Sequence, residues 1–275
     1  MILLHAVTAA LYALAAWALW PQAPAEFAAA KGNAPARPPA AWVTVVLPAA
    51  LLVHAWIAGR GIATPDGLDL SLPNALSVVA GLVALVAWVS GLLRTLPAIG
   101  TVVLPVAAAA SLIPALSTDP HRFPYAAEPW AALHVGVALV SYALFLVAAV
   151  HALVLMGLEK RLHRRLPDPG ATGLPPLLTL ERFLFRLVTV GFVLLTLTLA
   201  SGMLFSEQIF GKPVMFTHKS VFSVLGWLTF GALLWGRWRY GWRGRVALRW
   251  IIAGTVFVFL AYLGSKFVLE VLLGR

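Results

Sequence analysis

A chain of 275 residues that is 61% hydrophobic and only 11% charged cannot be an ordinary soluble domain, in which about a quarter of residues carry charge. Its net charge of +10 would point to nucleic acid in a soluble protein, but in a membrane protein basic residues collect in cytoplasmic loops and set orientation. The absence of cysteine excludes disulfides, iron–sulfur clusters, thiolate zinc sites and haem attached covalently through a CxxCH motif.

Crossing the hydrocarbon takes about 20 mostly apolar residues, and eight segments meet that requirement. The first, 2–20, holds His5 and is followed by Ala23-Pro24-Ala25, which mimics a signal-peptide cleavage site. Residues 1–20 contain no Lys or Arg, so the positive leader region is missing and a retained helix is expected. The second, 41–59, follows Pro38-Pro39 and carries His54 inside an apolar run; the third, 74–93, follows Pro73. The fourth and fifth are 97–116, opening on Pro97, and 130–157, which follows Pro129 and carries His134 and His151. Prolines suit such starts, where an amide N–H has no helical partner. The remaining segments are 183–205, 219–236 and 248–269, with His218 just before the seventh. Trp20, Trp42, Trp130, Trp235 and Trp250 lie near segment ends, where indoles anchor in the headgroup region. The expected fold is all-α: one integral membrane domain over 1–275 with about eight transmembrane helices and a basic loop at 158–182.

Placing the N-terminus outside puts 14 of the 20 Lys and Arg residues on the cytoplasmic side. These include the cluster from Lys160 to Arg186 and the cluster from Arg237 to Arg249. The positive-inside rule therefore predicts that both termini face the external, periplasmic side. The same assignment gives each histidine a depth. His5, His54, His121, His134 and His218 fall at or near the outer face, whereas His151 and His163 belong to the inner half.

Two imidazoles on facing helices can hold a b-type haem without covalent attachment. Its propionates need cations or water, and Arg60, Arg122, Lys219 and Lys266 share the outer side. His134 and His54 lie within apolar stretches, where an ionisable side chain marks a functional candidate. His218 is balanced between a ligand and an exposed helix start. His5 and His121 read as interfacial or loop residues, His151 as a structural hydrogen-bonder, and His163 as part of a solvated loop. Ser141, seven residues after His134, shares its helix face. The run Trp235–Arg245 interleaves aromatics with arginines; at a membrane boundary this reads as an aromatic belt touching anionic lipid, not as an RNA site. All ten carboxylates lie in loops or at helix ends, which argues against a proton or cation pathway.

An ordered set of landmarks carries a family resemblance. Leu-Leu-Val-His54-Ala ends one helix and Leu70-Ser-Leu-Pro-Asn-Ala-Leu-Ser77 opens the next. His134-Val-Gly-Val-Ala-Leu-Val-Ser-Tyr142 starts a later one, Gly241-Trp-Arg-Gly244 follows the penultimate helix, and Tyr262-Leu-Gly264 lies in the last. From about residue 40 to the C-terminus the chain resembles cytochrome c assembly proteins of the CcsA type, in their shorter HemX-like branch. The resemblance implies a bacterial inner-membrane protein that handles haem at the external face, with His134 matching an external haem ligand and His54 a histidine in a transmembrane position. It departs from the full family between Ser206 and Lys219, where the Trp-rich segment with its Trp-Asp motif is missing. His218, just before Lys219, stands where a substitute ligand could sit.

The reading is a non-enzymatic protein of cytochrome c assembly that binds haem b non-covalently. His134 is an iron ligand, His54 or His218 its partner, and Lys219 or Lys266 lies near the propionates. Expected partners are haem, other assembly membrane proteins and lipid, with no nucleic acid. The alternative is a regulatory or scaffolding protein of the same fold that does not handle haem. A transmembrane b-type electron carrier would require histidines near both faces, and within the spans the inner half offers only His151.

Overall fold

The computed structural model describes residues 1–20, 41–64, 67–92, 99–116, 122–123, 129–163, 177–204, 218–265 and 267–268. Eight helices among them are long and apolar enough to cross a bilayer. They are α1 (Ile2–Leu19), α2 (Val43–Ile62), α3 (Leu72–Leu92), α4 (Ile99–Leu116), α5 (Pro129–His163), α6 (Leu177–Leu204), α7 (His218–Tyr240) and α8 (Gly244–Phe259), the last continued by a π-helical turn, Leu260–Gly264. An even number of spans returns the end of α8 to the side on which α1 begins.

Several helices overrun the apolar windows. α5 continues through the charged stretch to His163 and α6 already starts at Leu177, so the connection is shorter than the loop expected at 158–182. Leu, Glu, Lys and Arg are strong helix formers, and the backbone stays helical where the side chains turn polar. For the same reason α7 runs to Tyr240 and α8 begins at Gly244. The tight turn between them is made by Gly241 and Gly244, with φ of 68° and 53°, a region glycine enters without steric cost.

One feature lies outside the helical pattern. Strands β1 (Ala63–Thr64), β2 (Gly67–Asp69) and β3 (Arg122–Phe123) form a small antiparallel sheet in that order. Leu68 pairs with both Ala63 and Phe123, and Asp69 with Arg122. The sheet ties the α2–α3 connection to the α4–α5 connection at one end of the bundle.

The helices pack as two groups of four. α1 packs on α2 and α4, and α3 on α2 and α4; α5 packs on α6 and α8, and α7 on α6 and α8. The α3–α5 contact joins the groups. Apolar side chains gain little by leaving lipid, so close packing and interhelical hydrogen bonds hold such a bundle together. In the second group the rings of Phe145 (α5) and Phe230 (α7) stack with centroids 3.9 Å apart and 7° between planes. Gly191 of α6 and Gly254 of α8 back the pair; a Cβ on either would come within 2.9 Å or 2.8 Å of a ring. Ser141 Oγ donates to the Gly191 carbonyl at 2.9 Å, and Thr255 Oγ lies 3.2 Å from the Phe145 carbonyl.

The far end of this group is pinned by Glu181. Its Oε1 accepts from Arg237 Nη1 at 3.1 Å and from the Gly244 amide at 3.3 Å. Arg237 also donates to the Trp242 carbonyl at 3.1 Å and lies 4.3 Å over the Phe185 ring. One carboxylate thus holds α6, the end of α7 and the start of α8 together. Glu181→Gln leaves a half-buried guanidinium without its counter-charge and is expected to cost about 1–3 kcal/mol. Thermal unfolding of the detergent-solubilised protein checks this; an unchanged midpoint would show the pair to be dispensable.

Candidate functional site

The contacts of the histidines fix where each one lies. His5, on the first turn of α1, is buried and donates from Nδ1 to the Ser111 carbonyl near the end of α4, at 2.6 Å. His54, near the end of α2, is 2% exposed. Its Nδ1 lies 3.1 Å from the Tyr12 hydroxyl of α1 and its Nε2 lies 2.9 Å from Ser77 Oγ at the start of α3. His134, one turn into α5, has Nδ1 2.8 Å from Ser201 Oγ near the end of α6. Apart from Tyr12, in the middle of α1, the contacts join the beginning of an odd-numbered helix to the second half of an even-numbered one. His5, His54 and His134 therefore share one end of the bundle, as does His218, the exposed first residue of α7.

They do not form a single cluster. His54 is held by α1 and α3 in the first helix group, whereas His134 is held by α6 in the second. No hydrogen bond or ring contact joins these two among the described residues, and no three His, Asp or Glu side chains there converge as a metal site. His121 and Lys266 lie outside the described residues.

The two principal imidazoles differ in chemistry. Both ring nitrogens of His54 are engaged by hydroxyls, and its ring packs against Gly81, where a Cβ would lie 3.1 Å away. Beside it His5, Asp69, Asn74 and Ser77 line a cavity of about 190 Å³, smaller than the roughly 300–1,000 Å³ of pockets for larger organic ligands. The residues around His54 thus build a hydrogen-bonded polar core. Tyr12→Phe should leave a His54 nitrogen without its partner and cost about 1–2 kcal/mol. A thermal midpoint equal to wild type would contradict that assignment.

His134 is only half-buried. Ser201 Oγ donates its single proton to the Thr198 carbonyl at 3.1 Å, so it accepts from His134 Nδ1–H. With the hydroxyl proton placed there, the neutral ring carries its lone pair on Nε2 and is held in orientation, the arrangement that metal-ligating histidines use. Gly202 keeps the face beside the ring open, since a Cβ there would lie 3.3 Å from His134 Cε1. Lys219 lies on the first turn of α7. Its Nζ sits 5.4 Å over the ring of Tyr262, which the π-helical turn of α8 carries and which lies 5.6 Å from Tyr142. His134, Ser201, Lys219 and Tyr262 thus gather at one end of the second group. This donor set fits a haem: an oriented imidazole for iron and an ammonium for a propionate.

His151 belongs elsewhere. It is buried at the other end of α5 and donates from Nε2 to the Leu180 carbonyl at 3.2 Å, with Phe183 against its edge. It clamps α5 to α6, the structural role expected from the sequence. Sequence reasoning missed Tyr12, Ser77, Ser201 and Tyr262 as partners. The one signal for Tyr12 and Ser77 was the presence of polar side chains within or beside apolar spans.

Comparison with known proteins finds relatives over most of the chain. Residues 42–273 match the family of cytochrome c assembly proteins. The inner membrane protein YpjD of Escherichia coli is 34% identical over 230 residues, covering 81% of this chain and 84% of that protein. A cytochrome c biogenesis protein CcsA of Thermosynechococcus vestitus is 28% identical over 209 residues, covering 61% of this chain and 66% of that one. No solved structure matches the chain. With eight apolar spans and an inner-membrane relative over most of its length, this is a multi-pass inner-membrane protein, and it belongs to the cytochrome c assembly protein family.

Proposed function

We propose that the protein binds and hands on haem b during cytochrome c assembly, breaking no covalent bond itself. The observation that carries this reading is the Ser201-oriented His134 imidazole at the bundle end where α7 begins with His218 and Lys219. Nε2 of His134 supplies the iron ligand, His218 of the same bundle end the second, and Lys219, with Lys266, the charge for the propionates. His54, with both nitrogens engaged, would serve as a second ligand only after releasing Tyr12 or Ser77. The bundle end that carries these groups faces the periplasm in this reading, because the arginine-rich ends of α6, α7 and α8 lie opposite. Other membrane proteins of the assembly pathway are its expected partners.

Purified protein supplied with haem is expected to show a saturable Soret band. No band, even with haem in excess, would remove the reading. The internal satisfaction of His54 favours a second reading, a scaffold of the same fold that does not handle haem. Normal c-type cytochrome levels in a deletion strain would favour that alternative.

A further inference from the structure

At the end of the bundle opposite His134, the α7–α8 hairpin carries charge that the described carboxylates neutralise only at Arg237. Arg237 is satisfied by Glu181, but Arg239, Arg243, Arg245 and Arg249 are all exposed. Arg243, Arg245 and Arg249 have no carboxylate partner among the described residues. The α8 terminus adds to the positive field. Its N-cap, Arg243, makes no side-chain capping bond, its first turn holds no acidic residue, and Glu181 takes only the Gly244 amide. A helix start normally attracts an anion; here it is flanked by arginines, with Arg245 and Arg249 one turn apart on the same face.

The surroundings indicate which anion. Trp235 and Trp238 are exposed and packed edge to face at 5.2 Å, and Tyr240, also exposed, lies under Arg239, 5.7 Å from its ring. Such rings settle at headgroup depth. Val246 on α8 and Leu228 on α7 are also exposed, giving acyl chains an apolar path away from the arginines. A soluble phosphate would use the charge but not the apolar faces.

We propose that the α7–α8 hairpin is a binding site for one anionic phospholipid, its phosphate held by Arg243, Arg245 and Arg249 and its chains lying along α7 and α8. The site is independent of haem and lies at the opposite end of the bundle from His134.

The test is native mass spectrometry of the full chain, released from micelles holding equal amounts of phosphatidylglycerol and phosphatidylcholine. Wild type should retain phosphatidylglycerol about tenfold over phosphatidylcholine. The triple variant Arg243→Gln/Arg245→Gln/Arg249→Gln should retain both alike, whereas Arg182→Gln/Arg186→Gln, exposed arginines on α6 at the same end, should keep the preference. In phosphatidylcholine nanodiscs the triple variant should melt with wild type; adding phosphatidylglycerol should raise the midpoint of wild type alone. Equal retention of the two lipids by wild type would overturn the proposal. So would loss of preference in the α6 variant, which would indicate unspecific attraction to basic surface. Displacement of the lipid by excess inorganic phosphate would also overturn it, by assigning the site to the free anion.

Discussion

Phe230→Ala is expected to destabilise the protein by about 3–5 kcal/mol, the cost of removing a fully enclosed aromatic ring. Phe230 and Phe145 are both 0% exposed, and their stack is closed from behind by Gly254 and Gly191. The four residues come from four different helices, and the glycines that border the rings bring no side chain to fill the gap. The apolar environment makes this a test of packing itself, because a Phe ring in lipid is not penalised as it would be in water. Leu228→Ala, on the same helix but exposed, should change stability by less than about 0.5 kcal/mol. Thermal unfolding of the two detergent-solubilised variants side by side measures the contrast. Equal midpoints would mean that the stack does not hold the second helix group together.

The helices were legible because each span is an uninterrupted apolar run of sufficient length, and that signal depends on no distant residue. Their ends were less legible. Nothing in the apolar windows marks α7 as continuing through Arg237 and Arg239 to Tyr240. The turn that follows was visible in Gly241 and Gly244. The small sheet was hidden, because strands of two and three residues carry no periodic signal and β3 lies more than fifty positions from its partner β2.

At the candidate site, the depth of the histidines followed from topology alone. The common face of His134 and Ser141 followed from a seven-residue spacing, and both do bond to α6, through Ser201 and Gly191. What the sequence could not convey was the rotation of each helix about its own axis. That rotation turns His54 toward Tyr12 and Ser77 and turns His134 toward Ser201. The approach of Lys219 to Tyr262 depends on a π-helical turn, which redirects side chains relative to a regular helix and recurs at functional sites.

The second large effect is expected at His134. His134→Ala removes the imidazole that Ser201 orients, and should weaken haem binding on the order of a hundredfold or more. Ser201→Ala keeps the ligand but frees the ring to rotate, so a smaller loss of about tenfold is expected. His151→Ala, at the far end of α5, should bind as wild type does. The decisive measurement is a haem titration of purified wild type, His134→Ala and His151→Ala, followed at the Soret band. The account predicts saturable binding by wild type and His151→Ala and near-complete loss in His134→Ala. Matching curves for the two variants would contradict it.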